Sequence, residues 1–184
     1  AEVEPELSFL INRDVPRVMA EKAREYRIPF IHFSTDYVFD GEKNVAYIET
    51  DPTNPLGIYG QSKCAGEEAV QAVGGLHYIL RTSWVYSNRG QNFYLMMRRL
   101  SHERDEIKVV SDQIGVPTSS TFIAEQIKKM IPQLRENNTG LYHLVPQESC
   151  SWCDFAKQII GQTNHHFNLK HLYPIASHSF KTRA

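Results

Sequence analysis

Apolar positions along the chain recur at two different spacings. Across residues 9–26, Leu10, Val18, Ala20 and Ala23 return at helical intervals between charges, which predicts a helix. Pro16 falls early in that span, so regular turns are expected from Asp14, with Asp14 as N-cap. Residues 28–33 then read as a short buried strand, with Pro29 confined to its beginning. A polar loop follows over residues 34–55. Residues 59–73 predict a second helix, stopped by Gly74-Gly75. The same pattern places strands at 77–81, 107–110 and 141–145, and helices at 93–101, 121–134 and 152–160. There is no repeat and no low-complexity segment.

Helices set between short apolar strands predict an α/β fold, a partial Rossmann-like doubly wound parallel sheet with a small C-terminal portion. Residues 1–110 are expected to form the C-terminal half of a Rossmann-like domain, and residues 111–184 a smaller portion mixed with the last sheet elements. Ligands of such sheets sit at the carboxyl ends of the strands. That rule singles out Ser34-Thr35-Asp36 and Thr82-Ser83-Trp84, both rich in hydroxyls and aromatic rings.

Composition narrows the partners. Lys plus Arg is 20 against 21 Asp plus Glu, a net charge of −1, which argues against a broad grip on nucleic acid or anionic lipid. Hydrophobic residues make up 41%, too many for a disordered chain. No apolar run approaches the roughly 20 residues of a membrane span. The opening Ala1-Glu2-Val3-Glu4-Pro5-Glu6 lacks the features of a secretory signal, and three cysteines cannot all pair, so a reducing cytoplasm is expected. Cys150-Ser-Trp-Cys153 has redox-dithiol or zinc spacing but no second pair of ligands. Ser151 followed by Asp154 reads better as a helix cap before Phe155, Ala156, Ile159 and Ile160. His165, His166, His171 and His178 fall in a polar C-terminal stretch, expected to be a solvated tail and no metal site.

Tyr59 and Lys63 are four apart, on one face of the predicted helix. An ammonium beside a phenol favours the phenolate. Bringing a phenol from about 10 to neutrality takes roughly 4 kcal/mol of differential interaction. Such a phenol can give its proton to a carbonyl oxygen as hydride arrives at carbon. Nine Tyr and nine Lys in 184 residues produce about 0.4 pairs of this spacing by chance, so the pair alone decides nothing. Its surroundings add weight. Thr35 stands at a strand's carboxyl end, where a hydroxyl can polarise a carbonyl oxygen.

The ordered set Ser34-Thr35-Asp36-Tyr37-Val38-Phe39-Asp40-Gly41, Tyr59-Gly60-Gln61-Ser62-Lys63-Cys64-Ala65-Gly66-Glu67 and Arg81-Thr82-Ser83-Trp84-Val85-Tyr86 resembles the extended short-chain dehydrogenase/reductases, and within them the dTDP-4-dehydrorhamnose reductases. Asn92-Phe93, Asp112-Gln113-Ile114-Gly115-Val116-Pro117-Thr118, Gly140-Leu141-Tyr142-His143-Leu144-Val145 and the opening residues extend the likeness over nearly the whole chain. The resemblance implies reduction of a 4-keto sugar nucleotide to dTDP-L-rhamnose with NADPH or NADH. It implies Tyr59 as general acid, Lys63 on the cofactor ribose and lowering the phenol's pKa, and Thr35 on the keto oxygen with Asp36 beside it. Ser34, Thr82 and Ser83 would lie near the cofactor, and Tyr37 and Trp84 would line the sugar pocket. It leaves room for a homodimer and for a divalent ion.

The family's Gly-x-x-Gly-x-x-Gly turn, on which a pyrophosphate rests, does not occur here. Its first strands and its final helical portion are expected to be missing. The 184 residues alone are therefore expected to bind NADPH poorly. Two other readings compete: a regulatory relative such as the beta subunit of methionine adenosyltransferase, and another sugar-nucleotide reductase or epimerase, since epimerases share Tyr-x-x-x-Lys.

Overall fold

A computed structural model describes residues 1–162 and 168–180. In chain order the elements are α1 (Pro5–Phe9), a π-helical stretch (Leu10–Asp14), α2 (Val15–Glu25), β1 (Phe30–Thr35), α3 (Ile58–Val73), β2 (His77–Thr82), β3 (Val85–Tyr86), α4 (Phe93–Glu103), β4 (Glu106–Val110), β5 (Ile114–Gly115), β6 (Thr118–Ser119), α5 (Ser120–Met130), β7 (Gly140–His143), β8 (Cys150–Ser151), α6 (Trp152–Gly161) and β9 (His171–Ile175). This is the expected α/β fold, with parallel pairing in all but one of the strand pairs. Among the described residues no helix is long and apolar enough to cross a membrane.

The chain forms two compact units. The first holds residues 1–82 and 126–144. Its sheet runs β1-β2-β7, all parallel, with Thr35 opposite Thr82 and Arg81 opposite His143. Ala20, Val70 and Ile79 are buried together, with Phe30, Val73 and Leu141 against them. Val38, Phe39 and Cys64 form a second cluster with Tyr47. The second unit holds residues 83–125, 145–162 and 168–180. There α4 and α6 pack with β4 around Met97, Ile107, Val109, Cys153, Phe155, Ala156 and Ile159.

Several expectations shift for identifiable reasons. The first helix starts at Pro5, and Asp14 lies inside it with helical dihedrals and no side-chain cap bond. Pro16 has no N–H to give to the carbonyl four residues back, at Asn12, and the π-helical turns there let the helix continue past it. The first strand begins at Phe30, beyond Pro29, and runs on to Thr35. Helix α6 is capped as expected, Ser151 Oγ accepting from the Asp154 amide at 3.0 Å. The tail reading fails for His171, which opens β9 opposite Glu106 of β4. His178 sits in a short 3-10 turn, Ser177–Ser179. His165 and His166 lie outside the described residues. All three cysteines are free thiols, and burial pushes their pKa values up, the reverse of a redox-active pair.

Candidate active site

Strand β1 delivers Ser34 and Thr35 to its carboxyl end, and the chain turns at once through a 3-10 turn, Asp36–Val38. Thr35 holds that turn. Its Oγ1 accepts from the Tyr37 amide at 3.2 Å and donates to Asp36 Oδ1 at 3.1 Å. Helix α3 lies close against the turn. A Cβ on Gly60 would sit 2.2 Å from the Tyr37 carbonyl oxygen, so only glycine permits the approach. The result puts the Tyr37 and Tyr59 rings edge to face, 5.8 Å apart at 75°.

The Thr35 hydroxyl is close enough to the Tyr59 phenol to favour its ionised form. Burial outweighs it, and the Asp36 charge adds to burial, so the phenol's pKa lies above its ordinary value. The expected acidification by Lys63 is corrected by this geometry. Lys63 Nζ donates to the Phe33 carbonyl at 2.5 Å, and burial lowers the pKa of the ammonium itself. Tyr59 therefore holds its proton at neutral pH, the form a proton donor needs. Tyr37 is raised in the same way, by burial first and the Asp36 charge second.

Beneath these groups lies a buried polar network absent from the sequence reading. Arg81 grips Glu67 with two bonds, Nε to Oε1 at 2.9 Å and Nη2 to Oε2 at 2.6 Å. Ser34 Oγ donates to the same carboxylate. Thr82 Oγ1 donates to the Ser34 carbonyl at 3.2 Å, tying the two strand ends together. The guanidinium of Arg81 also lies over the Phe39 ring, 4.9 Å from its centroid. The available signal was a charged residue inside the otherwise apolar run of β2.

Asn12 was missed as well. Its Nδ2 donates to Ser62 Oγ at 3.0 Å, and Ser62 Oγ donates to the Tyr59 carbonyl at 2.9 Å. The Asn12 carbonyl crowds Gly66, where a Cβ would lie 2.0 Å away. A π-helical stretch of this kind often marks a functional position, and here it sets Asn12 against the helix that carries Tyr59 and Lys63.

Thr35, Asp36, Tyr37, Tyr59, Lys63, Ser34 and Thr82 thus belong to the first unit. Ser83 and Trp84 belong to the second. There Ser83 Oγ accepts from the Val116 amide at 3.4 Å. Trp84 adopts a left-handed φ of 44° and stacks on Trp152, with ring centroids 3.4 Å apart at 10°. Phe93 flanks Trp152 at 4.5 Å.

A model described as the RmlD substrate binding domain matches residues 1–184. The chain belongs to the RmlD substrate-binding domain family. Among relatives of this RmlD-family chain is a protein named dTDP-4-dehydrorhamnose reductase from Sinorhizobium fredii, 45% identical over 165 residues, covering 88% of this chain and 56% of the relative. One of the same name from Escherichia coli K12 is 43% identical over 164 residues, covering 88% of this chain and 55% of the relative. The chain thus spans about half the length of the curated relatives it matches. A crystal structure of dTDP-4-dehydrorhamnose reductase from Bacillus anthracis in complex with NADP superposes with a TM-score of 0.92 at 38% identity, covering all of this chain and 63% of the other.

Proposed function

We propose that this RmlD-family chain carries the catalytic groups for NADPH- or NADH-dependent reduction of dTDP-4-dehydro-6-deoxy-L-mannose to dTDP-L-rhamnose. One observation carries the reading: the Tyr59 phenol lies beside the Thr35 hydroxyl, at the carboxyl end of a parallel strand, with Lys63 one helical turn on. The relatives' names and the NADP in the Bacillus anthracis complex support it.

The residues present fit the nicotinamide end of such a cofactor. Lys63 offers N–H donors and Tyr59 a hydroxyl on one helix face, at the strand ends where dinucleotides lie. When bound, the reduced nicotinamide supplies the hydride. Thr35 turns its single hydroxyl proton from Asp36 to the substrate's keto oxygen and holds that oxygen toward Tyr59. The Tyr59 phenol gives its proton to that oxygen as negative charge develops there, and takes another from solvent afterwards. Lys63, tethered to the Phe33 carbonyl, binds the cofactor ribose. Tyr37 supplies an aromatic wall for the sugar, with Ser34 and Thr82 on the cofactor side; the family resemblance gives Ser83 to the cofactor and Trp84 to the sugar. Residues 1–110 then hold the cofactor and catalytic groups, and residues 111–184 the substrate-binding portion.

The test is direct. The enzyme assayed is the protein in which these residues are joined to the family's dinucleotide-binding turn; it is given the 4-keto sugar nucleotide and NADPH, absorbance loss at the nicotinamide band is followed, and the product sugar is identified. Stoichiometric loss with a 6-deoxy sugar hydroxylated at C4 is the expected result. A product differing only in the configuration of a carbon, with no net cofactor oxidation, would mean epimerisation instead.

A further inference from the structure

Tyr59 is the second residue of α3. The first turn of a helix has amides without internal partners, and it opens first. A proton donor there needs an external hold. Gly57, the N-cap, has no side chain to supply one, and the first turn of α3 has no acidic residue.

The hold comes from the start of the chain. Glu2 Oε2 accepts from the Ile58 amide and Glu2 Oε1 from the Tyr59 amide, each at 3.1 Å. Gly57 leaves room for the carboxylate, since a Cβ there would stand 3.0 Å from Oε1. A carboxyl group that accepts from two first-turn amides caps a helix as an N-cap side chain would. On the other side of the same turn, Ser62 Oγ donates to the Tyr59 carbonyl and is itself held by Asn12. The Tyr59 backbone is thereby fixed at both its amide and its carbonyl.

We propose that Glu2 is a positioning residue for Tyr59, a remote cap that keeps the first turn of α3 closed and so keeps the phenol on Thr35. The claim rests on the catalytic role given to Tyr59 above. Glu2 acts through the backbone and touches neither substrate nor cofactor.

Two readouts test it in Glu2→Ala, Glu2→Gln and, as a control, Glu4→Gln. The first is amide hydrogen exchange at Ile58 and Tyr59. Glu2→Ala is expected to speed exchange at both by about tenfold or more, Glu2→Gln to keep partial protection through its one remaining acceptor, and Glu4→Gln to change neither. The second is steady-state kinetics of the enzyme. Glu2→Ala is expected to lower kcat about tenfold while leaving KM for the nicotinamide cofactor in place, with Glu2→Gln between it and wild type. Wild-type exchange in Glu2→Ala would overturn the cap. Faster exchange with an unchanged kcat would overturn the positioning role. A Tyr59→Phe enzyme at full rate would instead remove the function given to Tyr59, and that failure is recognisable because the amide exchange result would stand.

Discussion

Lys63 reaches from α3 to the Phe33 carbonyl of β1, a bond of 2.5 Å that ties the cation to the strand ending in Thr35. The ammonium is thus spent on backbone, and the phenol of Tyr59 answers to burial, Thr35 and Asp36. Lys63→Met is therefore expected to weaken nicotinamide cofactor binding, read as a KM raised about tenfold or more, with little movement of the phenol's ionisation. The donor stays protonated through neutral pH, so the reduction rate should be level there and fall only on the alkaline side, beyond the ordinary phenol value of about 10. A pH–rate profile of both enzymes checks this.

His32 faces α3 from β1, buried, with no hydrogen-bond partner for Nε2 among the described residues. Burial first, and the Lys63 charge second, hold its pKa at about 4. An unfolded histidine titrates near 6.5. Above that value both states are neutral and the full stability is present. As pH falls below it, the unfolded chain takes a proton that the folded one refuses, and stability is lost until about pH 4. The loss attributable to His32 is about 3 kcal/mol. His143, also lowered by burial, acts in the same direction. Urea unfolding at pH 7 and pH 4 should show the decline, and His32→Leu should remove the His32 share of it.

The Glu67–Arg81 pair is buried on both sides and carries Ser34 with it. Removing one partner strands a charge, so Glu67→Ala should destabilise the fold by about 3–5 kcal/mol. The double change Glu67→Met with Arg81→Met leaves no stranded charge and should recover much of that. Equal losses in the single and double variants, measured by chemical denaturation, would contradict the argument.

Gly115 lies against the Trp84 indole. A Cβ there would come within 2.3 Å of Cε2 and 2.7 Å of Nε1. Gly115→Ala should push Trp84 off Trp152. These are the two tryptophans of the chain, so the long-wavelength tryptophan band of the near-UV circular dichroism spectrum, beyond the tyrosine bands, reads their stacking. The stacking signal is expected to fall sharply, and the KM for the sugar nucleotide to rise while kcat changes less. An unaltered spectrum would show that the ring has somewhere else to yield.

Local signals carried much of the fold. Helix α3 was bounded to within one residue because Gly57 and Gly74 stop it at either end, and α6 because Ser151 and Asp154 form a cap. What escaped depends on distant partners. Leu10–Asp14 looked like a break because Pro16 removes a donor, and π-helical widening is invisible in a hydrophobic pattern. Strand β9 escaped because Pro174 and polar neighbours hide its alternation, and only pairing with β4 makes it a strand. In the site, the family resemblance named Thr35 and Tyr59, and the two lie near enough for the hydroxyl to act on the phenol. The direction of the phenol's shift was not, because burial cannot be read from a four-residue spacing. Glu2 on the Tyr59 amide and Arg81 on Glu67 join residues far apart in the chain, and no periodicity announces such pairs.

The proposed reduction turns on the phenol of Tyr59 as proton donor. Tyr59→Phe removes one oxygen and keeps the ring against Tyr37, so the enzyme should bind its nicotinamide cofactor with wild-type affinity and lose turnover by about 100-fold or more. Turnover of the 4-keto sugar nucleotide at the wild-type rate by that variant would contradict it.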